Sequence, residues 1–236
     1  MDKTDLTPTY LPSGDRAVLV QFAPKIDAAI NRYIHSLCSK IDDNPFKGLI
    51  EYQPSYSCLI VHYDPMLLTY NEVTAYLEKI ISITGSDEEL SSSVVEIPVC
   101  YGGDHGPDLP FVAAHLGRSE EDVVACHTGE NCLVCFLGFT PGFPLSQAPE
   151  KLAGVPRLET PRTKVPAGSV GVVGNQTGVY PISSPGGWRL IGRTPLKLYD
   201  PGRDEPFLVK PGDYIRFKAI SAEEYAAYTP ATAWQE

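Results

Sequence analysis

Apolar residues recur along the chain in two rhythms, and the rhythm changes at polar or Gly/Pro-rich breaks. Gly14-Asp15-Arg16 opens the run Ala17-Val18-Leu19-Val20-Gln21-Phe22, which predicts a strand. After Pro24, Ile26, Ile30, Tyr33, Ile34, Leu37 and Ile41 fall at helical spacing and predict a helix that buries one face. Leu49–Tyr52 and Ser57–Tyr63 read as two strands separated by a turn at Gln53-Pro54-Ser55. Val73, Tyr76, Leu77 and Ile80 then mark a second amphipathic helix over Asn71–Ile83. Residues 1–85 are therefore expected to form a small α+β domain with helices packed on a sheet.

Residues 86–93, within the stretch Gly85-Ser86-Asp87-Glu88-Glu89-Leu90-Ser91-Ser92-Ser93, are too polar to add to a core and read as a linker. Beyond them Val94–Tyr101 alternates like a strand, and Leu109–Leu116 and Ser119–Cys126 predict two short helices. Ser119 suits the N-cap of the second helix. Glu120, Glu121 and Asp122 follow it in the first turn, where carboxylates favour the helix dipole. From Asn131 onward short apolar runs are broken by Pro and Gly, the pattern of a closed or sandwich β architecture. A Pro211-Gly212-Asp213 turn leads into a closing strand at Tyr214–Phe217, so residues 94–236 read as a mainly-β domain.

Composition narrows the function classes. With 43% hydrophobic and 20% charged residues in 236, the chain buries an ordinary core. Its formal charge of −10 repels nucleic-acid backbone and anionic membrane, so neither is an expected partner. No stretch approaches the roughly 20 apolar residues of a membrane span, and Met1–Gly14 lacks the apolar core of a secretory signal, which points to the cytoplasm. Six cysteines in such a chain are expected as free thiols. Cys132 and Cys135 have a spacing that can put two thiolates on one metal ion, yet Cys132-Leu133-Val134-Cys135-Phe136-Leu137 reads as a buried strand, and no metal site is expected.

Candidate chemistry gathers between Phe136 and Pro195. Phe139-Thr140-Pro141-Gly142-Phe143-Pro144 is a stiff turn flanked by aromatics, able to wall an apolar slot or simply to close a hydrophobic turn. Arg157, Arg162 and Lys164 form a cationic island in an acidic chain, suited to a phosphate or carboxylate or to plain solvation. In Ser184-Pro185-Gly186-Gly187-Trp188 the paired glycines permit positive φ and close backbone approach, for an anion or for a tight hairpin packed by the indole. His127 follows the acidic helix and is a candidate acid or base, or equally a helix C-terminal cation or a satisfied, partly buried core residue. No P-loop and no GxSxG elbow occurs, which suggests that a partner protein supplies the missing parts.

Specific motifs tie these pieces together: Pro161-Arg162, Val165-Pro166-Ala167-Gly168-Ser169-Val170, Tyr180-Pro181, Ser184 through Trp188, and Ile191-Gly192-Arg193-Thr194-Pro195, with Gly14-Asp15 near the start. On them the chain resembles the family that includes the B-type subunits of 5-oxoprolinase, allophanate hydrolase subunit 1-like proteins and the sporulation-kinase inhibitor KipI. The resemblance implies a cyclophilin-like β-barrel after the α+β domain, without prolyl isomerase activity. It also implies assembly with a homologous barrel protein of the C type and a third protein of the A type. The implied reaction is ATP-dependent opening of 5-oxo-L-proline to L-glutamate, inactive in this chain alone, with ATP and magnesium held mainly with the partner. Inhibition of a histidine kinase, an allophanate hydrolase-like activity and a non-catalytic barrel are the alternatives. Carried onto this chain, the resemblance implies catalytic roles for His127, Arg162 and Arg193. It implies a cleft formed by Phe139, Pro141, Gly142 and Phe143, with Gln176 as a hydrogen-bonding group and Gly186, Gly187 and Trp188 as further substrate contacts. Pro144-Leu145-Ser146 stands where the family usually has a Tyr-Leu pair, a departure that bears on the aromatic wall and on substrate choice.

Overall fold

Backbone contacts divide the chain into two units, Met1–Ser91 and Ser92–Glu236, in a computed structural model that describes residues 6–84 and 92–228. The linker expected at 86–93 lies outside the described residues as far as 91.

The first unit runs β1 (Thr9–Pro12), β2 (Ala17–Gln21), α1 (Ala28–Asp43), β3 (Leu49–Pro54), β4 (Cys58–Tyr63) and α2 (Tyr70–Ile83). Its strands form an antiparallel sheet in the order β1-β2-β4-β3. Alternation in β4 buries Leu59, Val61 and Tyr63, and the helical spacing in α1 buries Ile30, Ile34, Leu37 and Ile41 against the sheet. The α1 helix starts two residues later than Ile26 because the Asp27 carboxylate accepts from Ala29 N at 2.8 Å and Ile30 N at 3.2 Å. Thr69 and Glu72 cap α2 reciprocally. β3 continues through Pro54, which shortens the expected turn.

The second unit opens with β5 (Val94–Tyr101), α3 (Leu109–Leu116) and α4 (Glu120–Gly129). There follow β6 (Cys132–Leu137), β7 (Pro144–Gln147), β8 (Arg162–Val165), β9 (Ser169–Val173), β10 (Gln176–Val179), β11 (Ser184–Gly186), β12 (Arg189–Arg193), β13 (Tyr214–Ile220) and α5 (Ala222–Ala227). Seven of these strands close a barrel in the order β10-β7-β6-β13-β5-β12-β9, sealed by β9 against β10. The parallel pairing of β13 with β5, from Tyr214 opposite Val94 to Ile220 opposite Cys100, spans the greatest sequence distance. β8 and β11 form a separate two-stranded ribbon. Val99, Val134, Val170, Val172, Ile215 and Phe217 fill the core, and Cys132 and Cys135 lie buried on β6. Among the described residues no helix is long and apolar enough to cross a membrane.

Candidate functional site

The loop from β6 to β7 is a tight turn: Gly138 N donates to Phe143 O at 3.1 Å, Thr140 N to Gly138 O at 2.6 Å and Phe143 N to Thr140 O at 3.1 Å. Gly142 has φ +80, and a Cβ there would come within 2.7 Å of Tyr199 Cβ, so glycine is required on both counts. Phe139 adopts φ 59, the one left-handed non-glycine among the described residues, and its ring is 74% exposed. Phe143 points the other way and is buried. Its ring meets Tyr180 at 4.9 Å, Trp188 at 5.4 Å and Phe139 at 5.7 Å, each edge to face.

These rings form one wall of a cavity of 310 Å³, completed by the β11 segment Ser184–Gly186, by Gly187 and Trp188, and by Thr140 and Arg157. Neither Gly186 nor Gly187 has positive φ. Gly186 is needed for the close approach alone, because a Cβ would overlap the Tyr180 hydroxyl, while a Cβ at Gly187 would meet Pro161 at an ordinary 3.6 Å. Burial pushes the Tyr180 phenol up, opposed by the Trp188 backbone and by the charges of Arg157 and Arg162, so the hydroxyl stays a donor at neutral pH. Among the described residues Arg157 is the cavity's cation, no carboxylate lines it, and the Thr140 hydroxyl is buried without a partner. Such a site suits a small ring with an anionic group: aromatic faces for the ring, a guanidinium for the charge.

The structure gathers Phe139, Phe143, Gly186, Gly187 and Trp188 at this cavity, while Pro141 and Gly142 shape its turn without lining it. The three residues expected as catalytic do not line it. Arg162 Nη2 donates to the buried Asp108 carboxylate at 2.9 Å, which also accepts from Leu190 N at 2.7 Å. Arg189 lies 3.8 Å from the same carboxylate and covers the Phe111 ring at 3.6 Å. The charge of Arg162 is thus answered from within the fold, although its Nη1 is buried without a partner. Arg193 Nε donates to Ala167 O at 2.8 Å. Gln176 sits at the end of β10 remote from Tyr180, opposite Gln147 and Val173.

The structure places His127 in the core, the satisfied position that is one of its ordinary readings. α4 runs on through Gly129, and positions 123 and 127 share its buried face, so the imidazole enters the core with no exposed surface. Tyr101 Oη lies 2.7 Å from Nδ1 and Thr177 Oγ1 lies 2.8 Å from Nε2. Thr177 donates its proton to Gly171 O at 3.2 Å, so Nε2 must carry the hydrogen and Nδ1 accepts from Tyr101. The ring stacks on Phe217 at 4.2 Å, and burial holds its pKa down at about 3. A neutral ring with both nitrogens engaged and no open face is not placed for acid or base work on a substrate.

Sequence reasoning named Arg157 only within the cationic island and passed over Thr140, Tyr180, Ser184 and Pro185 as individual contributors. All five sit inside or beside the quoted motifs, and burial of the one hydroxyl has no local sequence signal.

The chain matches the carboxyltransferase domain, subdomain C and D, over residues 8–209. It is 41% identical over 225 residues to the B-type subunit of 5-oxoprolinase from Bacillus subtilis (strain 168), covering 91% of this chain and 94% of that protein. The crystal structure of TTHA0988 superposes with a TM-score of 0.75 at 39% identity, over 88% of this chain and 40% of that one. The K. lactis urea amidolyase, at 22% identity, shares the fold with a TM-score of 0.79 over 94% of this chain and 15% of its own. The chain thus spans well under half the length of either solved relative.

Proposed function

The chain belongs to the family of carboxyltransferase domains, subdomain C and D, and on that footing we propose that it is the B-type subunit of a 5-oxoprolinase, opening 5-oxo-L-proline to L-glutamate at the expense of ATP. One observation carries the reading: a chain similar almost end to end to the B-type subunit of a 5-oxoprolinase holds an aromatic cavity with a single cation. The substrate is a five-membered lactam bearing a carboxylate. Arg157 is proposed to take the carboxylate, and Phe143 and Trp188, packed edge to face on one another, to offer the ring one apolar wall, with Tyr180 donating a further hydrogen bond. The barrel is read as cyclophilin-like without isomerase activity, acting in the cytoplasm.

ATP supplies the phosphoryl group that turns an unreactive lactam oxygen into a leaving group. The cavity does not fit magnesium-bound nucleotide on its own, because no carboxylate lines it to hold the metal. ATP and magnesium are therefore assigned mainly to a homologous C-type partner, with an A-type protein completing hydrolysis. Arg162 and Arg193, each tied to the fold, act in this reading by holding the loops that border the cavity.

The test is ATP hydrolysis and glutamate release from 5-oxoproline by this chain alone and then mixed with its C-type and A-type partners. Turnover in the mixture alone supports the reading, and Arg157→Ala should raise KM there about tenfold. No turnover in mixtures whose components demonstrably bind one another overturns it, and inhibition of a histidine kinase by the same chain would then be the reading to pursue.

A further inference from the structure

We propose that the Thr140 hydroxyl is the specificity-determining group that reads the amide of the bound ring, an inference that rests on the lactam reading above. Both backbone polar groups of Thr140 are committed: its N–H donates to Gly138 O and its carbonyl accepts from Phe143 N. The side-chain oxygen alone has no partner, although it is buried in a residue that lines the cavity. Folded proteins satisfy nearly all such atoms, and a native exception calls for a reason. Here a ligand supplies one. A hydroxyl both donates and accepts, so it can meet a lactam carbonyl or a lactam N–H, and one step between staggered χ1 wells re-aims it.

The surroundings leave this task to Thr140. Aromatic carbons and glycine backbone make up most of the wall, Arg157 is matched to a carboxylate, and Tyr180 Oη, which already accepts from the Trp188 backbone, is left to donate, so Thr140 carries the buried hydroxyl at the cavity that has no partner in the fold. Ser146 Oγ is also buried without a partner, but it sits within the barrel opposite Thr177 and away from the cavity, so it cannot serve. The turn that carries Thr140 is set by the left-handed Phe139 and by Gly142, which fixes where the hydroxyl begins its swing. Backbone held in a sparsely populated region next to a ligand cavity is a recurrent sign of a functional constraint.

The experiment is calorimetric titration of the assembled complex, without ATP, with 5-oxoproline and with cyclopentanecarboxylate, which keeps the ring size and the carboxylate and lacks the amide. Thr140→Val should weaken 5-oxoproline about tenfold and leave cyclopentanecarboxylate within about twofold, while Thr140→Ser should stay close to wild type. Ligand-free melting provides a readout independent of the substrate. Replacing an unpartnered buried hydroxyl by a methyl should leave Tm unchanged or raise it by about 2–4 °C. A fall in Tm would mean the hydroxyl is engaged within the fold, and the inference would be wrong. Equal losses for both ligands, or none, would also overturn it. A Thr140→Val complex that still prefers 5-oxoproline to cyclopentanecarboxylate as the wild type does would sink this inference alone, whereas failure of the wild type to bind either ring would sink the lactam reading with it.

Discussion

Acidification should weaken the barrel through His127, and the size of the effect follows from its surroundings. The imidazole is fully enclosed and titrates at about 3 in the fold against 6.5 in an open chain. Between those values the unfolded chain binds a proton that the folded chain refuses. Stability is therefore fully present above the unfolded value and declines as pH falls below it. At a pH of about 5 the unfolded ring is almost wholly protonated, so lowering pH from about 7.5 costs about 2 kcal/mol through this residue. Urea denaturation followed by tryptophan fluorescence reads the right unit, because Trp188 is buried within it. His127→Gln keeps a hydrogen-bonding side chain and removes the titration. The loss on acidification should be about 2 kcal/mol larger for wild type than for the variant, since the other histidines cancel in the comparison. Parallel losses in the two proteins would refute the account of an unprotonated, sealed imidazole.

Two further substitutions probe the neighbourhood of the cavity. Asp108→Asn leaves the half-buried Arg162 guanidinium without its counter-charge and should lower stability by about 2–3 kcal/mol, read from the urea midpoint. An unchanged midpoint would mean that water already answers that charge. Gly186→Ala places a methyl on the Tyr180 hydroxyl and should cost about 1–3 kcal/mol together with ligand affinity, whereas Gly187→Ala, whose Cβ would meet Pro161 at an ordinary 3.6 Å, should be tolerated.

Local rhythm made much of this molecule legible. The α1 face and the β4 alternation are written in apolar spacing alone, and Ser119 is the N-cap of α4 that its side chain and following carboxylates predict. β1 has no such signal: Thr9–Pro12 is short, largely exposed and ends in proline, and it exists because β2 offers a free edge. Within the site, the aromatic turn and the Gly-Gly-Trp segment are visible as motifs. The allocation of the arginines is not. Arg162 and Arg157 look alike in sequence, and only Asp108, 54 residues from Arg162, decides which guanidinium is held by the fold. The choice among the readings of His127 is illegible for a related reason, because its neighbours in the chain are polar while its neighbours in space, Tyr101, Thr177 and Phe217, arrive from β5, β10 and β13.

The parallel seam between β5 and β13 bears on how the protein is made. β5 is the first strand of its unit to leave the ribosome, yet the residues that pair along it from Val94 to Cys100 are 214–220. While some hundred intervening residues are translated, one edge of β5 lacks the neighbour that will cover it, and a Val/Ile-bearing strand edge is a template for unwanted pairing. The barrel becomes a single cooperative object only when its last strand is delivered, so a ribosome that stalls before residue 214 releases an adhesive chain rather than a smaller working one.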